Sequence, residues 1–141
     1  GLGDVYKRQV PVDHRLASLP RFPIKEVENE PFISLLETSD HDARRALEAA
    51  GVKPNIRYTT KDDYAIIAMV EQGLGVSIMP ELLLSGRSDN VRIMELTPPA
   101  SRTIGLCLPD ADRAGPATAR FAQCVSDWVR ERYSRIQNTT S

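Results

Sequence analysis

One stretch decides the fold of this chain, and it reads Val70-Glu71-Gln72-Gly73-Leu74-Gly75-Val76-Ser77-Ile78-Met79-Pro80. Apolar residues at helical spacing lead up to Gly73, which predicts a helix that ends there in left-handed geometry. Val76 and Ile78 then alternate as in a strand, while Gly75 allows two chain segments to pack closely. Pro80 suits the first position of a further short helix. The stretch therefore predicts a helix, a strand and a second helix in succession.

The same order of elements recurs toward the N-terminus. Residues 31–36 form a short, nearly continuous apolar run, which is typical of a strand buried on both faces. Ser39, or Thr38 in its place, is the expected N-cap of a helix over residues 40–50. Gly51 supplies the C-terminal stop of that helix.

Further strands and helices alternate along the rest of the chain. A short strand over 56–58 precedes the second helix, and Thr59 or Thr60 is its expected cap. Strands are expected over 91–96 and 104–108, and one face of a final helix is apolar, with Phe121, Cys124, Val125, Trp128 and Val129. This alternation predicts an α/β domain with a largely parallel sheet, in which ligands usually bind beyond the carboxyl ends of the strands.

The two ends of the chain lack such patterning. Residues 1–9, Gly-Leu-Gly-Asp-Val-Tyr-Lys-Arg-Gln, have neither helical nor strand periodicity. They are similar to translated adaptor sequence, so we expect a non-native leader that lies outside the fold, with a mobile linker as the alternative. Residues 134–141 are polar without an apolar repeat, and a disordered tail is expected there.

The composition is that of one ordinary soluble domain, with 41% hydrophobic, 26% charged and 6% aromatic residues. Eighteen basic and nineteen acidic residues give a net charge of -1, which leaves no positive surplus to attract nucleic acid or anionic lipid. No apolar stretch approaches the roughly 20 residues that span a bilayer. Cys107 and Cys124 are too few and too far apart for a disulfide scaffold or a zinc site.

The sequence contains no catalytic or metal-binding motif that we can name, so neither an enzyme, a metal site nor a cofactor is expected. Gly73-Leu74-Gly75 lies between a helix and a strand, whereas a dinucleotide site needs a strand followed by a helix N-terminus. His14 and His41 have no third ligand beside them and are expected to be hydrogen-bonded or solvent-facing. Asp62-Asp63 fits the preference of a helix N-terminus for acids better than a general-acid pair.

Three segments of the chain, with the spacing between them, carry a family resemblance: Asp13-His14-Arg15-Leu16-Ala17, Pro31-Phe32-Ile33 and Val70 to Pro80. They resemble the effector-binding domain of LysR-type transcriptional regulators, over about residues 10–133. The third segment is the most specific of them. Arg15 departs from the family pattern, which usually has a proline after the histidine.

The resemblance implies a fold like that of type 2 periplasmic binding proteins, with two lobes and a small-molecule effector in the cleft between them. Residues 10–97 would form the second lobe, and residues 98–133 would be the strand and helix that return to the first lobe. The DNA-binding helix-turn-helix and most of the first lobe would precede residue 10 in the full-length protein.

The resemblance also implies a cytoplasmic bacterial protein that forms a homodimer or homotetramer at full length. It would contact DNA only through the missing N-terminal domain and would have no membrane partner. The alternative is the solute-binding lobe of a transport-associated protein, which shares the fold. The coding sequence upstream distinguishes the two, because a regulator carries a helix-turn-helix and a transport protein a signal peptide.

The effector site is expected where strands lead into helix N-termini, at eight positions: Leu36, Glu37, Thr38, Ser39, Thr60, Lys61, Met79 and Pro80. Backbone N–H groups and hydroxyls at a helix N-terminus bind carboxylate or phosphate oxygens. The same hydroxyls also serve as helix caps, so both roles stay open for Thr38, Ser39 and Thr60. Acidic residues at both helix starts disfavour a multiply charged anion. We therefore expect a singly acidic or neutral polar metabolite.

Overall fold

A computed structural model describes residues 2–36, 42–84, 90–108 and 115–137. The chain divides into two compact units, a larger one over Gly3–Arg102 and a smaller one that comprises Gly1–Leu2 and Thr103–Ser141. None of the described helices is long and apolar enough to cross a bilayer.

The described elements follow one another as β1 (Leu2–Pro11), β2 (Phe22–Pro23), a 3-10 helix (Ile24–Asn29), β3 (Pro31–Leu35), α1 (Asp42–Ala49), β4 (Asn55–Thr60), α2 (Asp63–Glu71), β5 (Ser77–Pro80), α3 (Glu81–Leu84), β6 (Val91–Thr97), β7 (Ser101–Ile104) and α4 (Pro116–Gln137). This order confirms the α/β class.

The sheet is mixed rather than largely parallel. Its strands lie in the order β2-β6-β1-β5, and β1 is antiparallel to both β5 and β6. β3 and β4 form a parallel pair. A parallel bridge between Phe32 of β3 and Val76, just before β5, links the two groups of strands. Parallel pairing therefore holds for β3 with β4 and for the short β2 with β6, and the prediction failed at β1, which sequence patterning did not reveal.

The largest departure from expectation concerns residues 1–9, which we expected to lie outside the fold. Residues 2–9 instead belong to β1, in the middle of the sheet, and Tyr6, Arg8 and Gln9 are buried there. Strand pairing is made by backbone N–H and C=O groups, which every residue except proline carries in full. A segment without alternating side chains can thus still pair as a strand.

Three glycines have the structural roles that the sequence predicted for them: two end helices and one allows close packing of the chain. Gly51 and Gly73 follow α1 and α2 with φ of 67° and 73°, in the left-handed region that favours glycine. A Cβ on Gly75 would lie 2.5 Å from the carbonyl oxygen of Pro31. Gly75 is therefore what allows the chain before β5 to approach β3 closely.

The N-terminus of α2 differs from the prediction. Thr59 and Thr60 belong to β4, which extends beyond residues 56–58, and the N-cap is Asp62. Its Oδ1 atom accepts a hydrogen bond of 2.9 Å from the N–H of Tyr64. The threonine cap is therefore wrong, whereas the helix-capping role of the acidic pair is confirmed for Asp62. The caps proposed for α1, Thr38 and Ser39, lie outside the described residues.

Two apolar clusters hold the larger unit together. The first includes Phe22, Phe32 and Leu47, and the second includes Ile66 and Met79. Each fully buried large apolar side chain contributes about 1.5–3 kcal/mol to folding. β3 supplies residues to both clusters, because a strand covered on both faces sends alternate side chains into each.

The last strand and the last helix of the chain have boundaries that differ from the predicted ones. β7 ends at Ile104, and residues 105–108 are described without strand structure. α4 confirms the final helix and continues to Gln137, beyond the predicted start of the tail at Ser134. Phe121 and Trp128 on α4 are 65% and 55% exposed. An exposed apolar face of this kind promotes aggregation.

Candidate functional site

Three strands end at one edge of the larger unit. β3 and β4 run parallel with Leu35 opposite Thr60, so that their carboxyl ends meet. β5 continues from Val76, which is bridged to β3 in parallel, and it ends at Pro80. In α/β folds this edge is where ligands usually bind. The candidate site is therefore built from the ends of β3, β4 and β5.

The structure brings some of the predicted site residues together. The N–H of Leu36 donates a hydrogen bond of 2.6 Å to the carbonyl oxygen of Thr60. The Thr60 Oγ1 atom accepts a bond of 3.2 Å from the N–H of Asp62, so this hydroxyl supports the turn into α2. Lys61 is exposed beside them. Glu37, Thr38 and Ser39 lie outside the described residues.

A cavity of about 440 Å³ opens next to this edge. Met79 and Pro80 line it, whereas Leu36, Thr60 and Lys61 are not among its described lining residues. The other lining residues come from five elements and one loop: Phe32, Ile33, Ser34 and Leu35 of β3, Ala43, Arg44, Leu47 and Glu48 of α1, Val52, Lys53 and Pro54, Ile56 of β4, Asp63 and Ile66 of α2, and Ser77 and Ile78 of β5. The cavity falls within the 300–1,000 Å³ that is usual for ligand pockets.

The lining residues on α1 and in the loop after it were missed from the sequence. Ala43 and Leu47 follow one another at helical spacing and read as ordinary core positions, because such a spacing marks a face without showing what it faces. Met79 and Pro80, by contrast, were chosen because they end a strand. Only the packing of α1 against other elements distinguishes a cavity wall from core.

Most polar groups of the cavity are already bonded within the protein. The hydroxyl of Ser77 donates to the carbonyl oxygen of Ile33 at 2.9 Å, and the hydroxyl of Ser34 donates to that of Leu35 at 3.2 Å. Arg44 Nε lies 3.4 Å from Glu48 Oε1. Such bonds leave a mainly apolar surface with charged groups at its margin.

The remaining chemistry-bearing residues form no second site in the part of the chain that the structure describes. His14 Nε2 lies 3.1 Å from Glu30 Oε2, and its Nδ1 accepts from the N–H of Leu16, so both ring nitrogens are engaged. No group of three or more metal-ligating side chains occurs among the described residues. Cys107 and Cys124 are free thiols and exposed.

A family model described as the LysR substrate binding domain matches residues 9–130. Because this match covers most of the chain, the protein belongs to that family. A curated relative, the uncharacterized HTH-type transcriptional regulator YybE of Bacillus subtilis, is 30% identical over 118 residues. That alignment covers 82% of this chain but 40% of the relative, so the chain spans less than half of its length.

Solved structures share the fold. HinK, a LysR family transcriptional regulator from Pseudomonas aeruginosa, superposes with a TM-score of 0.71 at 24% identity, over 93% of this chain and 46% of HinK. The effector binding domain of QuiR in complex with shikimate superposes with a TM-score of 0.67 at 16% identity, over 92% of this chain and 63% of that one. At such identities the likeness shows the fold, which agrees with the expected architecture.

Proposed function

We propose that this chain is the effector-sensing part of a longer, LysR-type transcriptional regulator of the bacterial cytoplasm. The observation that carries the proposal is a ligand-sized cavity beside the strand ends of a domain of this family. The relative named above is an HTH-type transcriptional regulator, and a structural neighbour holds a small molecule, shikimate. The solute-binding alternative has no comparable observation in its favour.

An effector acts in this proposal by binding one state of the regulator better than another. It can shift the equilibrium only by its differential affinity for the two states. The ends of β3 and β4 suit this role, since the N–H of Leu36 bonds the carbonyl oxygen of Thr60 at the edge where we propose that the effector binds. A ligand held at this edge would favour one arrangement of these two strand ends. DNA would be contacted by another part of a homodimeric or homotetrameric protein.

We propose residues 10–97 as one lobe of the effector-binding domain and residues 98–133 as the returning segment of the other. The division of the chain at Arg102, close to this boundary, supports the assignment. Residues 1–9 are proposed as a leader of non-native origin, although residues 2–9 pair within β1. In support of that origin, the family match leaves out residues 1–8, and Arg8 places a charged side chain in a fully buried strand position.

The test of this function uses the full-length regulator. A thermal-shift screen of small organic acids is expected to yield a compound that raises its melting temperature, because a ligand of the folded state stabilises it by mass action. The same compound should change expression from a reporter promoter. Ala43→Leu, which adds volume inside the cavity, should weaken both effects. Ala49→Leu, which changes an exposed residue of the same helix, should not.

Two results would count against the proposal. One is a screen in which no compound changes reporter expression. The other is an upstream coding sequence that encodes a signal peptide in place of a helix-turn-helix, which would favour the transport-associated alternative.

A further inference from the structure

The cavity beside β5 has the size of a ligand pocket. At about 440 Å³ it falls within the 300–1,000 Å³ that is usual for small-molecule sites. It opens to solvent on one side, and closely packed protein interiors contain few comparable spaces. A space of this size and position suits a small organic molecule.

The walls of the cavity indicate which part of an occupant lies deepest. Leu47, Val52, Ile66 and Met79 line it and are at most 4% exposed, so they form its floor. Ser77 also belongs to the floor, but its hydroxyl is bonded to a backbone carbonyl. Apolar cavities stay dry and take up apolar molecules. The deep part of the site therefore suits hydrocarbon.

The margin of the cavity carries charge, and the charges balance. The exposed side chains of Arg44, Glu48 and Lys53 stand at the mouth with the half-buried Asp63. Two cationic and two anionic groups provide no surplus for a phosphate or a dicarboxylate. Arg44 has five N–H donors, so its ion pair with Glu48 at 3.4 Å is compatible with a further carboxylate partner.

We propose that the effector is a small monocarboxylate with an aromatic or branched aliphatic body. The body lies in the apolar floor, and the carboxylate pairs with Arg44 at the mouth. This inference rests on the proposed sensing function and narrows the expected singly acidic or neutral polar metabolite to one chemical class. Polyols are disfavoured because the floor is apolar and the two serine hydroxyls of the cavity, which donate to backbone carbonyls, remain available only as acceptors.

Methionine methyl groups provide the readout. The chain has three methionines. Met79 lines the cavity, whereas Met94 packs in the other cluster and is not among the lining residues, so Met94 is an internal control. The 141-residue chain, labelled with [13C-methyl]methionine, is titrated with phenylacetate and 4-methylpentanoate. Both are expected to shift the Met79 signal saturably and leave Met94 in place. Shikimate, phosphoglycolate and inorganic phosphate are expected to shift neither.

Two pairs of variants separate the parts of the proposal. Ala43→Leu adds volume inside the cavity and should weaken phenylacetate binding at least tenfold, whereas Ala49→Leu changes an exposed residue of the same helix and should not. Arg44→Gln should weaken binding about fivefold, as for one partly exposed ion pair. Arg45→Gln, beside it but outside the lining, should leave affinity unchanged.

The methyl titration tests the chemical class of the effector separately from the sensing function. If shikimate, whose ring carries three hydroxyls, or phosphoglycolate shifts Met79 as well as phenylacetate and 4-methylpentanoate do, the proposed apolar body or single charge is wrong while small-molecule sensing survives. If no monocarboxylate shifts Met79 in a sample with dispersed methyl signals, the inference is overturned. The reporter screen of the full-length regulator still decides the sensing function by itself. Dispersed methyl signals in the spectrum of Arg44→Gln would show that this variant is folded.

Discussion

Replacing Arg8 by methionine should stabilise the larger unit. The Arg8 side chain is 0% exposed, and its guanidinium nitrogens have no hydrogen-bond partner among the described residues. The guanidinium lies 4.1 Å from the ring centroid of Phe22 and 5.9 Å from that of Phe32. A charge buried without hydrogen bonds destabilises a fold. Methionine is apolar, has a flexible chain and makes favourable contacts with aromatic rings.

The magnitude follows from the ionisation of Arg8. Burial lowers the pKa of its guanidinium far below its usual range, to about 9, although the charge of Glu30 acts in the opposite direction. At about 1.4 kcal/mol per pKa unit, this difference costs the folded state about 5 kcal/mol at neutral pH. The substitution also removes the cation–π contacts of Arg8, and this loss offsets about 2 kcal/mol of the stability gained. We expect the free energy of unfolding to rise by about 3 kcal/mol, within the range seen when buried ion pairs are replaced by apolar residues.

The effect of Arg8 should depend on pH in a defined direction. Its folded-state pKa lies below the unfolded value, so above about pH 9 the unfolded chain binds more protons than the folded one and stability rises with pH. The destabilisation is complete below about pH 9 and fades above it. The difference in free energy of unfolding between the unsubstituted chain and Arg8→Met should therefore narrow by about 1 kcal/mol from about pH 8 to about pH 10.

The assay is a urea titration followed by the Met94 methyl signal, which reports on the larger unit, with Trp128 fluorescence as the reporter for α4. The matched control is Lys7→Met, because Lys7 neighbours Arg8 but forms ion pairs with Glu81 at 3.7 Å and Glu95 at 3.2 Å. That variant should lose up to about 1 kcal/mol. A lower free energy of unfolding for Arg8→Met would refute the reasoning, since the buried charge would then be stabilising.

Three further predictions concern local structure. Gly75→Ala should reduce the free energy of unfolding by about 2 kcal/mol or more, because its Cβ would meet the Pro31 carbonyl oxygen at 2.5 Å; an unchanged urea midpoint would contradict this. Asp62→Ala should reduce the free energy of unfolding by about 1 kcal/mol in the same titration, because the α2 cap is lost. An unchanged free energy of unfolding would mean that another group caps α2 in its place. The hydrogen bond from Arg15, 2.8 Å long, lowers the pKa of the Glu26 carboxyl, with Asn29 assisting. This pair therefore favours the folded state above the ordinary carboxyl pKa and ceases to do so as the pH falls. Arg15→Gln should raise the pKa of Glu26 in an NMR titration, and an unmoved titration curve would exclude the bond in solution.

Local sequence patterns determined much of the larger unit. Gly51 and Gly73 end their helices because left-handed backbone favours glycine, a property that no distant contact needs to supply. The apolar run of β3 likewise indicated a strand buried on both faces. The family resemblance over residues 10–133 agrees with the matched range of 9–130. Each of these features depends on residues close together in the sequence.

Only the tertiary structure decided how the strands pair and what the helices face. β1 lies antiparallel between β5 and β6 because backbone groups pair without regard to side-chain periodicity, so no local pattern announced it. The position of Asp62, rather than Thr60, at the α2 cap follows from how far β4 stays paired to β3. The cavity wall on α1 exists only once that helix packs across the strands. Turns and helix ends are local, whereas pairing partners and cavities arise from segments distant in the chain.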